Sequence, residues 1–262
     1  IECRDILWDA VEELCGARLT VSYARIGGVV QDIPEDFHKT LPPKLQRIRE
    51  LIEDTENLLN TNRIFLDRMK DIGILKPSEA INWGWTGVCL RSTGVPYDVR
   101  RAAPYDVYDR LDWEVAVGTK GDNLDRYMVR IFEIKQSISM IEQCLEQIKD
   151  TPPEIVVDDP RVKLPEKERV HNAIEELMNH FKIIIDGIQV PKGEAYAYQE
   201  GGNGELGFYI VSDGGGKPWK IRCRPPCFPI TSSLPLIIEG GMIADIVPTF
   251  GSVNMIGGEC DR

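Results

Sequence analysis

A chain of 262 residues with 31 Lys and Arg against 42 Asp and Glu carries a net charge of −11, which excludes the basic footprint of a nucleic-acid binder and direct adsorption to anionic lipid. Its hydrophobic and charged fractions, 42% and 28%, are ordinary for a globular protein, and no apolar run approaches the roughly 20 residues needed to span a bilayer. Seven cysteines, an odd number in a chain too large for a disulfide scaffold, read as reduced thiols of a cytosolic compartment, and the opening Ile1-Glu2-Cys3-Arg4-Asp5 reads as no signal peptide and, lacking Met, as the start of a fragment.

In chain order, Ile6, Leu7, Ala10, Val11 and Leu14 follow helical spacing and Gly16 supplies a stop. Gly27-Gly28 marks either a tight turn or a place where a backbone comes close to a ligand or a partner's cofactor; spacing alone does not choose. A long helix is expected from Leu41 to Met69, where apolar positions step by four and three alternately, with Pro42 and Pro43 at its start and Gly73 at its end. The stretch Gly84 to Arg130 has no sustained period. It mixes Arg and Asp with many aromatics, so an ordered loop clamped by Arg-carboxylate forks is expected; the alternative is a loop that merely ties helices together.

A second long helix runs from about Asp122 to before Pro152-Pro153, on Leu124, Tyr127, Ile131, Ile134, Ile138, Ile141 and Leu145. The Pro-rich, charged segment Thr151 to Arg169 reads as an exposed excursion. A third bundle helix is expected from Pro165 to Gly187, with Ile174, Leu177, Met178, Phe181, Ile184 and Ile185 on its inner face. Ala195–Gln199, Leu206–Ser212 and Pro218–Cys223 read as strands of a small antiparallel sheet. Leu234–Ile238 and Met242–Thr249 read as short helices. The resulting fold class is α+β and mostly α, a long-helix bundle with a small antiparallel sheet. Residues 1–190 form the bundle with an irregular central loop at 84–122, and 191–262 the sheet, short helices and tail, together one compact unit.

Little here carries chemistry by itself. Cys223-Arg-Pro-Pro-Cys227, with Cys260, suggests a metal site, but no second pair stands at matching spacing and structural thiols are expected. His171 and His180 are nine positions apart, on different faces of one helix, and His38 stands at a helix entrance, so none is read as a catalyst. Gly201-Gly202-Asn203-Gly204 and Gly214-Gly215-Gly216 lead into strands, not helices, so they are hairpin turns and not phosphate cradles. No hydrolase elbow or nucleotide-binding sequence occurs.

Four stretches carry a resemblance. Thr86 to Gln143, TGVCLRSTGVPYDVRRAAPYDVYDRLDWEVAVGTKGDNLDRYMVRIFEIKQSISMIEQ, closely resembles the respiratory complex I component that carries most of the quinone pocket, called the D subunit in bacteria. GARLTVSYARIGGV (Gly16 to Val29), GELGFYIVSDGGGKPWKIRCRPPCF (Gly204 to Phe228) and the tail MIADIVPTFGSVNMIGGECDR agree with it. That family resembles nickel-iron hydrogenase large subunits that have lost the metal. The hydrogenases hold it with two C-x-x-C pairs, and none occurs in this sequence.

The resemblance implies a component of proton-translocating NADH:quinone oxidoreductase, a translocase of the respiratory chain. The chain would form part of the quinone chamber next to the terminal 4Fe-4S cluster of a partner subunit and bind no cofactor itself; quinone is the substrate, and NADH binds elsewhere in the complex. It places Asn254, Ile256 and Gly257 on the quinone wall, with Asn254 where relatives often carry Asp and Ile256 where they carry Val. Arg18, Thr20 and Arg25 would lie near the partner cluster, with Thr20 where many relatives carry a titrating His. The expected partners are the cluster-bearing B, the C, the membrane H and the ferredoxin-like I subunits of complex I, on the cytoplasmic side of the inner membrane, peripherally bound. The His and Tyr that hold the quinone in relatives lie upstream of Ile1, so no catalytic residue is expected in this chain and alone it would be inactive. The rival readings are a hydrogenase-type large subunit with a residual metal and a purely structural scaffold.

Overall fold

The computed structural model describes residues 1–151 and 154–261. Along the chain run α1 (Glu2–Cys15), β1 (Ala24–Arg25), β2 (Gly28–Val29), α2 (Phe37–Leu59), α3 (Arg63–Met69), α4 (Pro77–Asn82), α5 (Gly87–Ser92) and α6 (Val99–Ala102). These are followed by α7 (Asn123–Gln147), α8 (Lys167–Asn172), α9 (Ile174–Ile185), β3 (Gly193–Gly201), β4 (Gly204–Ser212) and β5 (Lys220–Arg224). The helices α10 (Cys227–Ser232), α11 (Leu234–Ile238) and α12 (Ile246–Val253) complete the order. Two small antiparallel sheets, β1-β2 and β3-β4-β5, accompany the helices, an α+β fold that is mostly α. In the smaller sheet Ala24 faces Val29 and Arg25 faces Gly28.

By packing, the chain forms two compact units. One comprises Ile1–Ile48, Gln147–Ala195 and Ile210–Arg222; the other comprises Arg49–Glu146, Tyr196–Tyr209 and Cys223–Arg262. In the first, Glu13 of α1 accepts from Thr40 and Lys44 of α2 at 2.8 and 2.9 Å, beside the buried Ala10, Phe37, Leu41 and Leu45. The turn at Gly27-Gly28 lies against the segment after α7: Val29 N–H donates to the Ile155 carbonyl and Val157 N–H to that of Gly27. A Cβ on Gly28 would stand 2.1 Å from the Ile155 oxygen. The close approach the glycines permit is therefore to this chain's own backbone, and Thr151 to Arg169 is not wholly an excursion.

In the second unit Leu75, Ala80, Trp85, Cys89, Leu90, Ile230, Ile237 and Val253 form one apolar core, with Trp85 Nε1 donating to the Ser233 hydroxyl at 2.7 Å. Leu111, Trp113 and Met140 form another, capped by Arg100 and Arg101 over the Trp113 ring at 4.5 and 4.6 Å.

Three expectations require correction. The helix expected from Leu41 to Met69 begins at Phe37, so Pro42 and Pro43 lie inside it, and it breaks after Leu59. Asn62 there has an extended backbone and accepts from the N–H groups of Ile64 and Phe65, capping α3. The helix expected from Pro165 to Gly187 is divided at Ala173, which is extended, and Ile174, Leu177, Met178, Phe181, Ile184 and Ile185 are exposed where an inner face was expected. The stretch 84–122 contains α5 and α6, and Arg91 within it takes Glu133 and Glu200 as partners from outside it. Helix α7 matches its expected span; Pro152 and Pro153, expected to close it, lie outside the described residues.

One close approach fixes the start of α5. Gly87 has φ +66°, and a Cβ there would meet Gly204 Cα at 2.4 Å. Gly87→Ala is expected to cost about 1–3 kcal/mol through strain plus the displacement of the β3-β4 turn. Gly84→Ala, at φ +73° with open space around it, reports the strain alone. Denaturation midpoints of the two variants check the difference.

Candidate functional site

The site is built on α7. Helical spacing sets Asn123, Arg126, Arg130, Glu133 and Ser137 on one face, three or four residues apart. Asp122 holds the start of that helix, accepting from Asp125 N–H and Asp71 N–H at 2.8 Å each. Arg126 is fully buried. Its guanidinium donates to Ser252 Oγ at 2.9 Å, the Gly121 carbonyl at 2.9 Å, the Gly73 carbonyl at 2.6 Å and Asn123 Oδ1 at 2.6 Å. None of these partners is a carboxylate, and burial lowers the guanidinium pKa to about 10. Arg130 donates to the Ser252 carbonyl, placing a cation at the C-terminal end of α12, where the helix dipole favours one. Asn123 Nδ2 adds a bond to Thr249 Oγ1 at 3.0 Å. Two arginines and an asparagine of α7 thus fix the last turn of α12.

Asn254 ends that helix in the left-handed conformation, φ 53° and ψ 49°, which Asn tolerates better than most residues. Its Nδ2 donates to Asn203 Oδ1 at 2.8 Å. Asn203 is buried in the β3-β4 turn and donates in turn to Cys227 Sγ at 3.3 Å, and Ile256 N–H reaches the same sulfur at 3.4 Å. Gly201-Gly202-Asn203-Gly204 is a hairpin turn as expected, but it also anchors the tail. Burial, with the Glu259 contact, pushes the Cys227 thiol up to about 11, so it stays protonated at neutral pH. Iodoacetamide at pH 8 is expected to modify exposed Cys223 well before Cys227; peptide mass mapping over time checks the order.

Above this anchor lies a cavity of about 370 Å³ lined by Val88, Arg100, Tyr108, Arg130, Glu133, Ile134, Ser137, Glu200, Gly201, Gly202 and Asn254. One side is a buried charge network. Arg91 of α5, 1% exposed, donates through Nε to Glu133 at 2.8 Å and through Nη1 to Glu200 Oε1 at 2.9 Å and the Tyr97 carbonyl at 3.1 Å. Its Nη1 also stands 3.2 Å from Asp98 Oδ2, and Asp98 is held by a two-point Arg100 fork at 2.9 and 2.7 Å. Burial opposes ionisation of Asp98, but the Arg100 bonds and the Arg91 charge outweigh it and hold its pKa below the usual carboxylate value. The forks anticipated in the central loop exist, yet Glu133 and Glu200 come from α7 and β3, and Arg126 and Arg130 bond carbonyls.

Of the residues singled out in the sequence, Asn254 lines the cavity. Ile256 is joined to it through Cys227 but is 48% exposed and does not line the cavity. Gly257 opens an exposed 3-10 turn, Gly257–Glu259. Arg18, Thr20 and Arg25 belong to the first unit. Arg18 pairs with Asp9 and Glu12 of α1. Thr20 has φ 53°, and its hydroxyl donates to the neighbouring Leu19 carbonyl. Exposed Arg25 borders a separate cavity of about 240 Å³ with Val156, Val162 and Leu164. Sequence reasoning missed Asn203, Glu133 and Glu200, and read Arg126 as one of the fork-forming charges of the central loop, where it bonds no carboxylate. The signal for Glu133 was the three- and four-residue spacing along α7.

Comparison with known proteins gives a match over residues 1–262 to the family described as respiratory-chain NADH dehydrogenase, 49 Kd subunit. The NADH-quinone oxidoreductase D subunit 1 of Sorangium cellulosum is 55% identical over 259 residues, covering 99% of this chain and 64% of that protein. The corresponding D subunit 2 of Anaeromyxobacter sp. is 52% identical over 262 residues, covering 100% of this chain and 60% of that one. The D subunit of Pelobacter propionicus is 48% identical over 266 residues, covering 99% and 64%. The chain therefore spans about 60% of the length of these relatives.

Proposed function

The chain belongs to the respiratory-chain NADH dehydrogenase 49-kDa subunit family, and on that premise we propose that it supplies one wall of the quinone chamber of an NADH-quinone oxidoreductase. The observation that supports this reading is the tail itself. Asn254 is held at the edge of a cavity by the helix that α7 fixes and by its bond to the β3-β4 turn. Pre-formed concavity with a few placed polar groups is what a ligand wall requires. In this reading Asn254, Ile256 and Gly257 face the quinone, and Arg18, Thr20 and Arg25 face a 4Fe-4S cluster held by a partner subunit. Thr20 takes up no proton in the neutral range, so the cluster's redox state is not coupled to a proton at that position.

The partners proposed are the B, C, H and I subunits of the same complex, with NADH oxidised elsewhere in it. No helix among the described residues is long and apolar enough to cross a membrane, and the chain is proposed to be held on the cytoplasmic face by its neighbours. In assembled oxidoreductase, Asn254→Ala and Ile256→Met are expected to raise the quinone KM several-fold and to alter sensitivity to quinone-site inhibitors. Unchanged values for both in a fully assembled complex contradict the assignment.

A further inference from the structure

One acidic group in the cavity lacks a full set of partners. Glu200, whose side chain is 6% exposed, accepts from Arg91 through Oε1, while its other oxygen, Oε2, is buried with no donor. A buried carboxylate oxygen without a partner strongly disfavours the charged form. Glu200 also lines the cavity that reaches Asn254.

The groups around it point the same way. From α5 comes Arg91; from the turn into α6 and from α6 itself come Asp98 and Arg100; from α7 come Glu133 and Arg130. Asp98 and Glu133 already match the charges of Arg91 and Arg100, and Arg130 is directed at the Ser252 carbonyl. Tyr105 Oη accepts from Glu200 N–H at 3.1 Å, Tyr97 Oη donates to Glu205 at 3.0 Å, and Tyr108 lines the cavity. An ionised Glu200 would be a third carboxylate on two guanidinium groups.

We infer that Glu200 is a proton-holding site: a neutral carboxylic acid at neutral pH, its Oε2 buried beside the cavity shared with Asn254. Burial, opposed by Arg91 and reinforced by Asp98, raises its pKa above the ordinary glutamate value. Release breaks the Oε2–H bond, leaves the electron pair on a carboxylate still held by Arg91, and passes the proton to an acceptor in the cavity, with no change of oxidation state in the protein. Its use in supplying quinone reduction rests on the function proposed above; the presence of the proton does not.

The test is pH-jump difference infrared spectroscopy on the assembled oxidoreductase without added quinone. The carbonyl band of a protonated carboxylic acid, shifted in heavy water, is expected in the unmodified enzyme at pH 7 and lost in Glu200→Gln, which keeps the acceptor for Arg91. Should that variant fail to assemble, Asn254→Asp adds a carboxylate to the cavity and is expected to move the band's titration midpoint upward. No such band at pH 7, a band that survives Glu200→Gln, or a midpoint unmoved by Asn254→Asp overturns the inference. Loss of the band in Glu200→Gln together with unchanged quinone KM in both Asn254→Ala and Ile256→Met would leave the proton site standing and remove the quinone reading.

Discussion

Arg126→Met is expected to lower the unfolding free energy by roughly 1–3 kcal/mol, because the Gly73 carbonyl loses its donor, whereas the Gly121 carbonyl keeps the Leu75 N–H at 3.2 Å. Relief of burying the cation, which already depresses its pKa, offsets part of this. The Gly73 carbonyl decides the sign, since a methionine supplies it no hydrogen bond. The second consequence is local. Ser252 keeps its bond to Asn123, but α12 loses one of the bonds that join it to α7, so Asn254 is held less firmly against the turn. Arg126→Lys, with a cation but no planar fork, is expected to fall between the two. Denaturant midpoints, read with the quinone KM of assembled complexes, separate the loss of fold from the loss of site.

Arg91→Met is expected to be more severe, about 3–5 kcal/mol, the usual cost of removing one partner from a buried ion pair. Here Asp98, Glu133 and Glu200 lose their shared cation at once. The pH dependence identifies the cause. Asp98 has a folded pKa below the usual 3.8, so its contribution is fully present above that value and is lost as pH falls through the folded one. Glu200 is raised, so the folded state holds its proton longer than the unfolded chain, and stability falls as pH rises from 4.5 through its folded value. Without Arg91 the Asp98 carboxyl shifts upward, and the destabilisation should shrink as pH falls toward the usual carboxylate value of 3.8. Adding Glu133→Gln to Arg91→Met, which removes a carboxylate left without its cation, should recover part of the loss, a coupling of roughly 0.5–3 kcal/mol.

Most regular elements were legible in the sequence because each is set locally. The apolar steps of α7, the Gly16 stop of α1, and the glycine clusters between β3, β4 and β5 need no distant information. The breaks were not legible. Asn62 reads as one more polar position in a continuing pattern until its side chain is seen capping α3, and nothing around Ala173 signals that its backbone is extended. The apolar face of α9 has the pattern of a buried face and is exposed; periodicity reports that a helix has two faces and is silent on what covers either.

The candidate site was legible only at its tail. Asn254 and Ile256 were singled out through the resemblance, and of the two only Asn254 lines the cavity. Their support, Asn203 in a turn and Arg126 among carbonyls, joins residues 51 and 126 positions apart. Alternating charges between Gly84 and Arg130 suggested pairing with sequence neighbours. Arg100 and Arg91 do meet Asp98 within the loop, but Arg91 also takes Glu133 and Glu200, and Arg126 takes Ser252 and the Gly73 carbonyl, from outside it, because a buried guanidinium needs acceptors matched in direction and not merely a nearby opposite charge.

Photoaffinity labelling tests the central claim most directly. A quinone carrying a photoreactive ring, illuminated in the assembled oxidoreductase, is predicted to modify the tail around Asn254 and the turn at Gly201–Asn203, and excess unmodified quinone should suppress both. Labelling confined to other subunits, or to parts of this chain remote from that cavity, would contradict the account.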